Sequence, residues 1–451
     1  MKLHSLLLLT IFLYLCLPLQ AGATTIALGP SDCSAATVNG AISSASDGDT
    51  ILLTCTGSVS WTTTVVIPST KGIILAVRGG TNTPKSAANF PLTIVTDQSA
   101  AISVSLGLNN SLSRITGFKF KNTGTWDGAY IAVGGHGVGK TGLGSFRIDN
   151  NYLDNISADR VIFVGSNGGP LYGLIDNNTM HDAFRAANMN YGPYGILVWN
   201  YWKPDGVCWG KDGWTNPFQF GSPNFVFIED NLFENLSTTP NRYMRHYVSH
   251  ELGGRSVVRY NTFTVNVASP ARNQTDLIEG HGFCICASNG MGTRGAEVYN
   301  NTFSGTQMGR LIAPRGGYWL IYDNTFNDLG SWISPIALLE YRAGNAAMNL
   351  QCSLTCPCTA SWFPVVTDGS LYPLVQQIAG TYIWNNTYQG ANQDPAVDAR
   401  GVQGLYIQSG RDYFVSPTKP AALSSYTPYT YPHPLRNSDK RPSPPLDIKT
   451  Q

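Results

Sequence analysis

Seven segments of the chain alternate apolar and polar residues and close on one phrase: an asparagine, any residue, then a large apolar side chain. They are FRIDNNYL ending at Leu153, YGLIDNNTM at Met180, FVFIEDNLF at Phe233, SVVRYNTF at Phe263, AEVYNNTF at Phe303, WLIYDNTF at Phe326 and TYIWNNTY at Tyr388. A period of two predicts a strand with one buried face, and recurrence every few tens of residues predicts a solenoid. The shortest intervals, 23, 27 and 30 residues, suit one turn of a parallel β-helix, and the longer ones hold loops or degenerate turns. Superposed, the phrases align Asn151, Asn178, Asn231, Asn261, Asn301, Asn324 and Asn386. With stacked coils about 4.8 Å apart, each amide reaches the next, which predicts an asparagine ladder inside the coil. The alternative is a sandwich of hairpins in which Asn-Thr-Phe merely opens a turn, but hairpins seldom repeat one strand-end signature so often.

The ends of the pattern predict caps. Val38, Ala41, Ile42 and Ala45 follow helical spacing, so Ala36 to Ala45 reads as an amphipathic helix covering the open end of the coil, before a turn at Asp47-Gly48-Asp49. After Tyr388 the repeat stops, and the Pro-, Ser- and Tyr-rich stretch from Pro417 to Pro445 reads as an extended tail along the coil, flexible beyond Asn437. The expected organisation is a leader at 1–23, one β-helix domain at 24–390 and a tail at 391–451.

Composition changes the picture in two places. Charged residues are only 13%, with 29 Lys plus Arg against 28 Asp plus Glu, so no global field favours nucleic acid or lipid, and substrate charge must be read locally. Lys2, the apolar run Leu6 to Leu17 and the small residues Ala21-Gly22-Ala23 make a secretory signal cut near Ala23, which predicts a secreted or periplasmic, monomeric protein with no membrane span. Cleavage would leave eight of the nine cysteines, an even number for an oxidising compartment. Cys33 and Cys55 bracket the helix and first strand and are expected to pair; Cys208, the Cys284/Cys286 pair and the Cys352/Cys356/Cys358 group suit loop-stapling bridges, since they lack the paired spacing of a zinc site. Seven Asn-x-Ser/Thr sequons, Asn155, Asn235 and Asn273 among them, carry little information because the ladder phrase itself generates such sequences.

The Asn-x-apolar coils, the segment CSAATVNGAISSASDGDTILL and the leader together resemble the right-handed parallel β-helix proteins of the pectin-lyase-like superfamily, over about Cys33 to Tyr388. The phrases GRDYF and YTPYTYPHPL are similar to a group of secreted bacterial β-helix proteins without an assigned function. The resemblance implies the fold and a polysaccharide or cell-surface glycan as partner.

A second repeat carries the candidate chemistry. Short apolar strands end in a polar residue near glycine: AVGGHG with His136, FVGSNGG with Asn167, YVSHELGG with His250 and Glu251, LIEGHG with Glu279 and His281, LIAPRGG with Arg315, LLEYRAG with Glu340 and Arg342. Stacked, these ends form a column parallel to the coil axis, able to grip successive sugars. His136, without a charged neighbour, reads as structural. The expected catalytic group is His250, Glu251, Glu279, His281 and Arg315, with Arg255, Arg294, Arg310, Glu340 and Arg342 binding substrate beside it. Trp202, Trp209, Lys203 and Lys211, in the insertion NYWKPDGVCWGKDGWTNPFQF, add faces for sugar rings and cations for carboxylates. The alternative is that these glycine-linked His and Arg residues only bind turn carbonyls.

Within the superfamily, Gly280-His281-Gly282 looks like part of the polygalacturonase pattern, but the Asp-Asp and Arg-Ile-Lys phrases are missing. Gly309 to Arg315 is similar in order to the Arg-Pro-Arg phrase of pectate lyases, and Glu251, Arg255, Glu279 and His281 resemble the Glu, Arg and His set of the chondroitinase and alginate lyases, whose Lys has no counterpart. This favours β-elimination from a uronate polymer over hydrolysis. A cation, Arg315, Arg255 or Ca²⁺ held by acidic residues, neutralises the carboxylate while His281 or His250 takes the proton. A non-catalytic glycan-binding adhesin and a structural surface protein are the rivals.

Overall fold

The computed structural model describes residues 23–437 except 84, 97–99, 108–109, 123–125, 135–143, 157, 166–171, 183–193, 200–218, 237–243, 267–275, 282–291, 306–308, 330–333, 340–377 and 401–406. The described strands form three long sheets, of twelve, ten and ten strands, whose neighbours pair in parallel, each strand with the one a full coil away. The chain is a right-handed parallel β-helix. One coil shows the path: His246–Glu251 lies in the third sheet, Arg255–Arg259 in the first and Thr262–Val265 in the second, and Asp276–Gly280 then returns to the third sheet one coil on. No described helix is long and apolar enough to cross a membrane.

Each repeated phrase makes two strands where the sequence predicted one. Ser145–Asp149 belongs to the first sheet and Tyr152–Asp154 to the second, and the chain bends between them at Asn150, φ 55°. Asn177, Asp230, Asn300, Asp323 and Asn385 take the same left-handed conformation, which Asn and Asp tolerate better than other side chains. Tyr260 is the exception, and its ring stacks on Tyr431 at 3.7 Å.

The next residue at every corner is the ladder asparagine. Six Nδ2 groups donate in series to the Oδ1 of the next coil at 2.9–3.0 Å, from Asn151 through to Asn386. The backbone N–H of each donates to the same oxygen. Asp394 terminates the row by accepting from Asn386 at 2.6 Å. Beside it, inside the coil, Phe233, Phe263, Phe303 and Phe326 stack with centroids 4.6, 4.9 and 5.1 Å apart.

At the N-terminal end a helix spans Ala35–Ser44, capped by the Ser34 hydroxyl and burying Ala35, Val38, Ala41 and Ile42. The Cys33–Cys55 bridge ties it to the first coils, closing a separation of 22 residues. Cys33→Ser is expected to lower stability by about 3 kcal/mol, read as a fall in the urea midpoint that dithiothreitol reproduces in the unmodified protein. The other cysteines lie outside the described residues.

The coil does not stop at 390. Val397–Arg400 adds to the third sheet and Tyr413–Ser416 to the first. These strands escaped the sequence reading because they contribute no ladder residue. Residues 417–437 then run back over the outer face of the first sheet as a strap, and residues 438–451 lie outside the described part. The face beneath is charged yet buried. Asp176 binds Arg147 through two bonds of 2.9 Å, and Glu229 binds Arg259 at 2.7 and 2.8 Å. Arg436 of the strap reaches Asp176, Glu229 and Asp230, while Arg259 donates to the Tyr429 and Thr430 carbonyls. The polar half of the alternation therefore faces the strap rather than water.

Candidate active site on the third sheet

Register sorts the residues of the second repeat. Tyr194, His246, Asp276 and Arg310 form one column, and Leu197, Ser249, Glu279 and Ala313 the next. The two columns stand three residues apart, yet Tyr194 and Leu197 pack in one cluster and the polar atoms of His246, Asp276 and Glu279 lie together, so both face outward, while the column Val198, His250, Gly280 and Pro314, one residue after the second, points inward. Glu251 and His281 follow at the strand ends, where the His281 amide donates to the His250 carbonyl and the Arg315 amide to that of Gly280.

His250 therefore leaves the expected catalytic group. Its ring is buried within the coil, Nδ1 meets the Glu279 carbonyl at 3.1 Å, Nε2 meets the Ser256 hydroxyl at 2.5 Å, and Trp319 packs edge-on at 5.7 Å. Burial pushes its pKa down to about 4, so it is neutral. Gly280 is explained by the same packing, since a Cβ there would stand 2.4 Å from the Trp319 ring.

Four expected residues meet on the outer face. His281 Nδ1 lies 2.7 Å from Glu279 Oε1, and Arg315 Nε approaches that same oxygen at 3.3 Å. The Ser249 hydroxyl donates to the other oxygen of Glu279 at 2.7 Å. Glu251, one coil away, accepts from Trp199 Nε1 at 3.0 Å and is close enough to influence His281. Arg310 grips Asp276 through two nitrogens, and Arg315 reaches Asp276 at 3.5 Å. Sequence reasoning missed Ser249 and Asp276, the second of which stands 3.5 Å from His246; neither adjoins a glycine, and strand register alone brings them in.

The other expected substrate-binding residues are elsewhere. Arg255 opens a strand of the first sheet, in register with Gly295, and Arg294 lies over the Tyr318 ring at 5.1 Å. Both follow the corner between the sheets, so the chain has turned away before it reaches them. Glu340, Arg342, Trp202, Trp209, Lys203 and Lys211 lie outside the described residues, as do His136 and Asn167.

The expected open row along the coil is largely buried. Asp276, Glu279, His246 and Glu251 are covered, while the side chains of His281, Arg310 and Arg315 are 20%, 15% and 14% exposed. Burial works against the Glu279 charge, but His246, His281 and Arg315 together outweigh it and hold the carboxyl well below the usual range. Burial likewise opposes a proton on His281, and the Glu279 carboxylate more than offsets this, so its pKa is raised. Burial raises the Glu251 carboxyl and keeps His246 far below its ordinary pKa, neutral.

Ligand atoms of His246, Asp276 and Glu279 lie within 4.8 Å of one another. The set does not fit Ca²⁺, which takes six to eight oxygens. One donor is an imidazole nitrogen, and both carboxylates already hold guanidinium groups.

Fold and site together define a parallel β-helix with a buried carboxylate row whose solvent edge carries an imidazole and two guanidinium groups. No family model matches the chain, and no curated protein does. Among solved structures it is similar to an alginate lyase from Paenibacillus sp. str. FPU-7, at 12% identity over 69% of this chain and 99% of that one, TM-score 0.31. A mannuronic acid specific polysaccharide family 6 lyase from human gut microbiota shares 12% identity over 90% and 88%, TM-score 0.39. The ORF18 protein of Geobacillus virus E2 shares 12% over 81% of this chain and 56% of its own, TM-score 0.35. The fold assignment rests on the three sheets and their register.

Proposed function

We propose that this chain is an exported, monomeric, lyase-like β-helix protein of the pectin-lyase-like type that acts on a uronate polysaccharide. The observation that carries the reading is the Glu279–His281–Arg315 arrangement, a carboxylate-backed imidazole beside a guanidinium at a solvent edge. With His281 neutral, Arg310 and Arg315 balance Asp276 and Glu279, so that edge offers guanidinium donors to a carboxylate without net repulsion. In the reaction Arg315 and Arg310 hold the uronate carboxylate, which makes the neighbouring carbon acidic. Neutral His281 takes that carbon's proton through Nε2 while Glu279 holds Nδ1. The C–H electrons form a carbon–carbon double bond, the glycosidic C–O bond breaks, and His281 returns the proton to the leaving oxygen.

The test is ultraviolet absorbance of the unsaturated product end with alginate, pectate and glycosaminoglycans. A linear rise with one of them, unchanged by EDTA, is expected. Silence with every polymer would end the lyase reading. The burial of the acidic groups favours a second reading, a glycan-binding module, which predicts saturable binding to one of these polymers without product.

A further inference from the structure

Glu297 differs from the other acids under the strap. Asp149, Asp176 and Glu229 each bind an arginine. Glu297 is buried as completely, in register between Val257 and Leu320, and among the described residues it has no ion-pair partner. Its oxygens accept from the Gly221 amide at 2.7 Å and from the Tyr426 hydroxyl of the strap, and Tyr426 also bonds to the Tyr322 hydroxyl at 2.8 Å. One carboxyl thus ties two separate segments to the coil.

The strap is fastened unevenly. Its second half, from Tyr429, is held by Arg259, Arg147, Asp230 and Glu229. Its first half forms one wall of a cavity of about 330 Å³, with Thr418, Lys419 and Tyr426 facing Tyr322, Trp384 and Asn385 of the coil. Lys419 is occupied with the Tyr426 carbonyl, at 2.6 Å.

We propose that Glu297 is a pH-sensitive latch that holds the first half of the strap over this cavity when protonated and releases it when ionised. Among the described residues the charged and titratable groups around it are Arg259, Tyr299, Tyr322, Tyr426 and, over the Tyr426 ring, Lys419; Arg259 is engaged by Glu229 and the strap carbonyls and Lys419 by the Tyr426 carbonyl. A buried carboxylate served by two neutral donors is poorly compensated. Burial pushes the Glu297 carboxyl up to about 7, against the Gly221 and Tyr426 hydrogen bonds and Arg259. The sign follows: a raised acid binds its proton more tightly in the latched state, so latching is complete at acid pH and is lost as pH rises through about 7. This holds whatever the third sheet does.

Hydrogen exchange of the full chain, corrected for intrinsic rates, reads the latch between pH 5 and pH 9. Protection of residues 419–428 is expected to fall on the order of a hundredfold, while 429–437 stay protected. Glu297→Gln removes the titration and flattens the profile of 419–428. Tyr426→Phe, which keeps the ring, flattens it too and serves should the first variant fail to fold. A wild-type profile without pH dependence, or one that survives in the variants, overturns the proposal.

Discussion

His281→Ala is expected to abolish formation of the unsaturated product, by roughly a hundred- to ten-thousandfold, with polymer affinity retained. The imidazole is the one exposed base at the edge of the cluster, and Glu279 fixes its tautomer and orientation. The pH profile gives the decisive sign. A base must be neutral to accept a proton, and Glu279 holds the His281 pKa above its ordinary value. The rate should therefore rise with pH through a midpoint above about 6.5. Glu279→Gln removes the stabilising charge and should move that midpoint down while lowering the plateau. A midpoint that stays in place, or an His281→Ala protein that still turns over, would assign the proton to another group. The pair also has a stability signature: its contribution is full below the ordinary histidine pKa and lost as pH rises through the raised one.

Asn261→Ala should cost about 3–5 kcal/mol, as should its equivalents at Asn178, Asn231 and Asn301, which make the same bonds. Its Oδ1 accepts from the backbone N–H and the Nδ2 of Asn231, and its Nδ2 donates to Ile228, Arg259 and Asn301. Alanine strands donors and acceptors on three coils in a place closed to water. Urea denaturation followed by circular dichroism measures it. Asn150→Gly, at a left-handed corner three coils earlier, is the control, and should change stability by only a few tenths of a kcal/mol. Equal effects at both positions would show that the corner conformation, not the ladder, holds the coils in register.

The fold was legible because one physical demand recurs at every turn. A buried amide must meet its copy one coil on, so the sequence repeats Asn at the corner and an apolar residue two positions later. The site was legible only in part. Glu279, His281, Arg310 and Arg315 stand near glycines or a ladder strand and lie together in one cluster, but His250 carries the same local mark and faces the core. A step of one residue along a strand moves a side chain to the opposite face, and the phrase YVSHELGG does not say whether His250 or its neighbours Ser249 and Glu251 take the outer one.

The sequence alone thus determined the coil, its ladder, the helix over its first turn and the Cys33–Cys55 bridge, since each follows from local period, spacing or composition, while its right hand was implied by the resemblance. Tertiary structure alone decided which polar residues share a face, that Ser249 and Asp276 join the cluster, and that the first sheet's charges lie under a strap. These depend on register between strands some thirty residues apart and on a tail reaching back over two hundred, as Arg436 does to Asp230. No local pattern records a contact whose partner is set by how many coils the chain has wound in between.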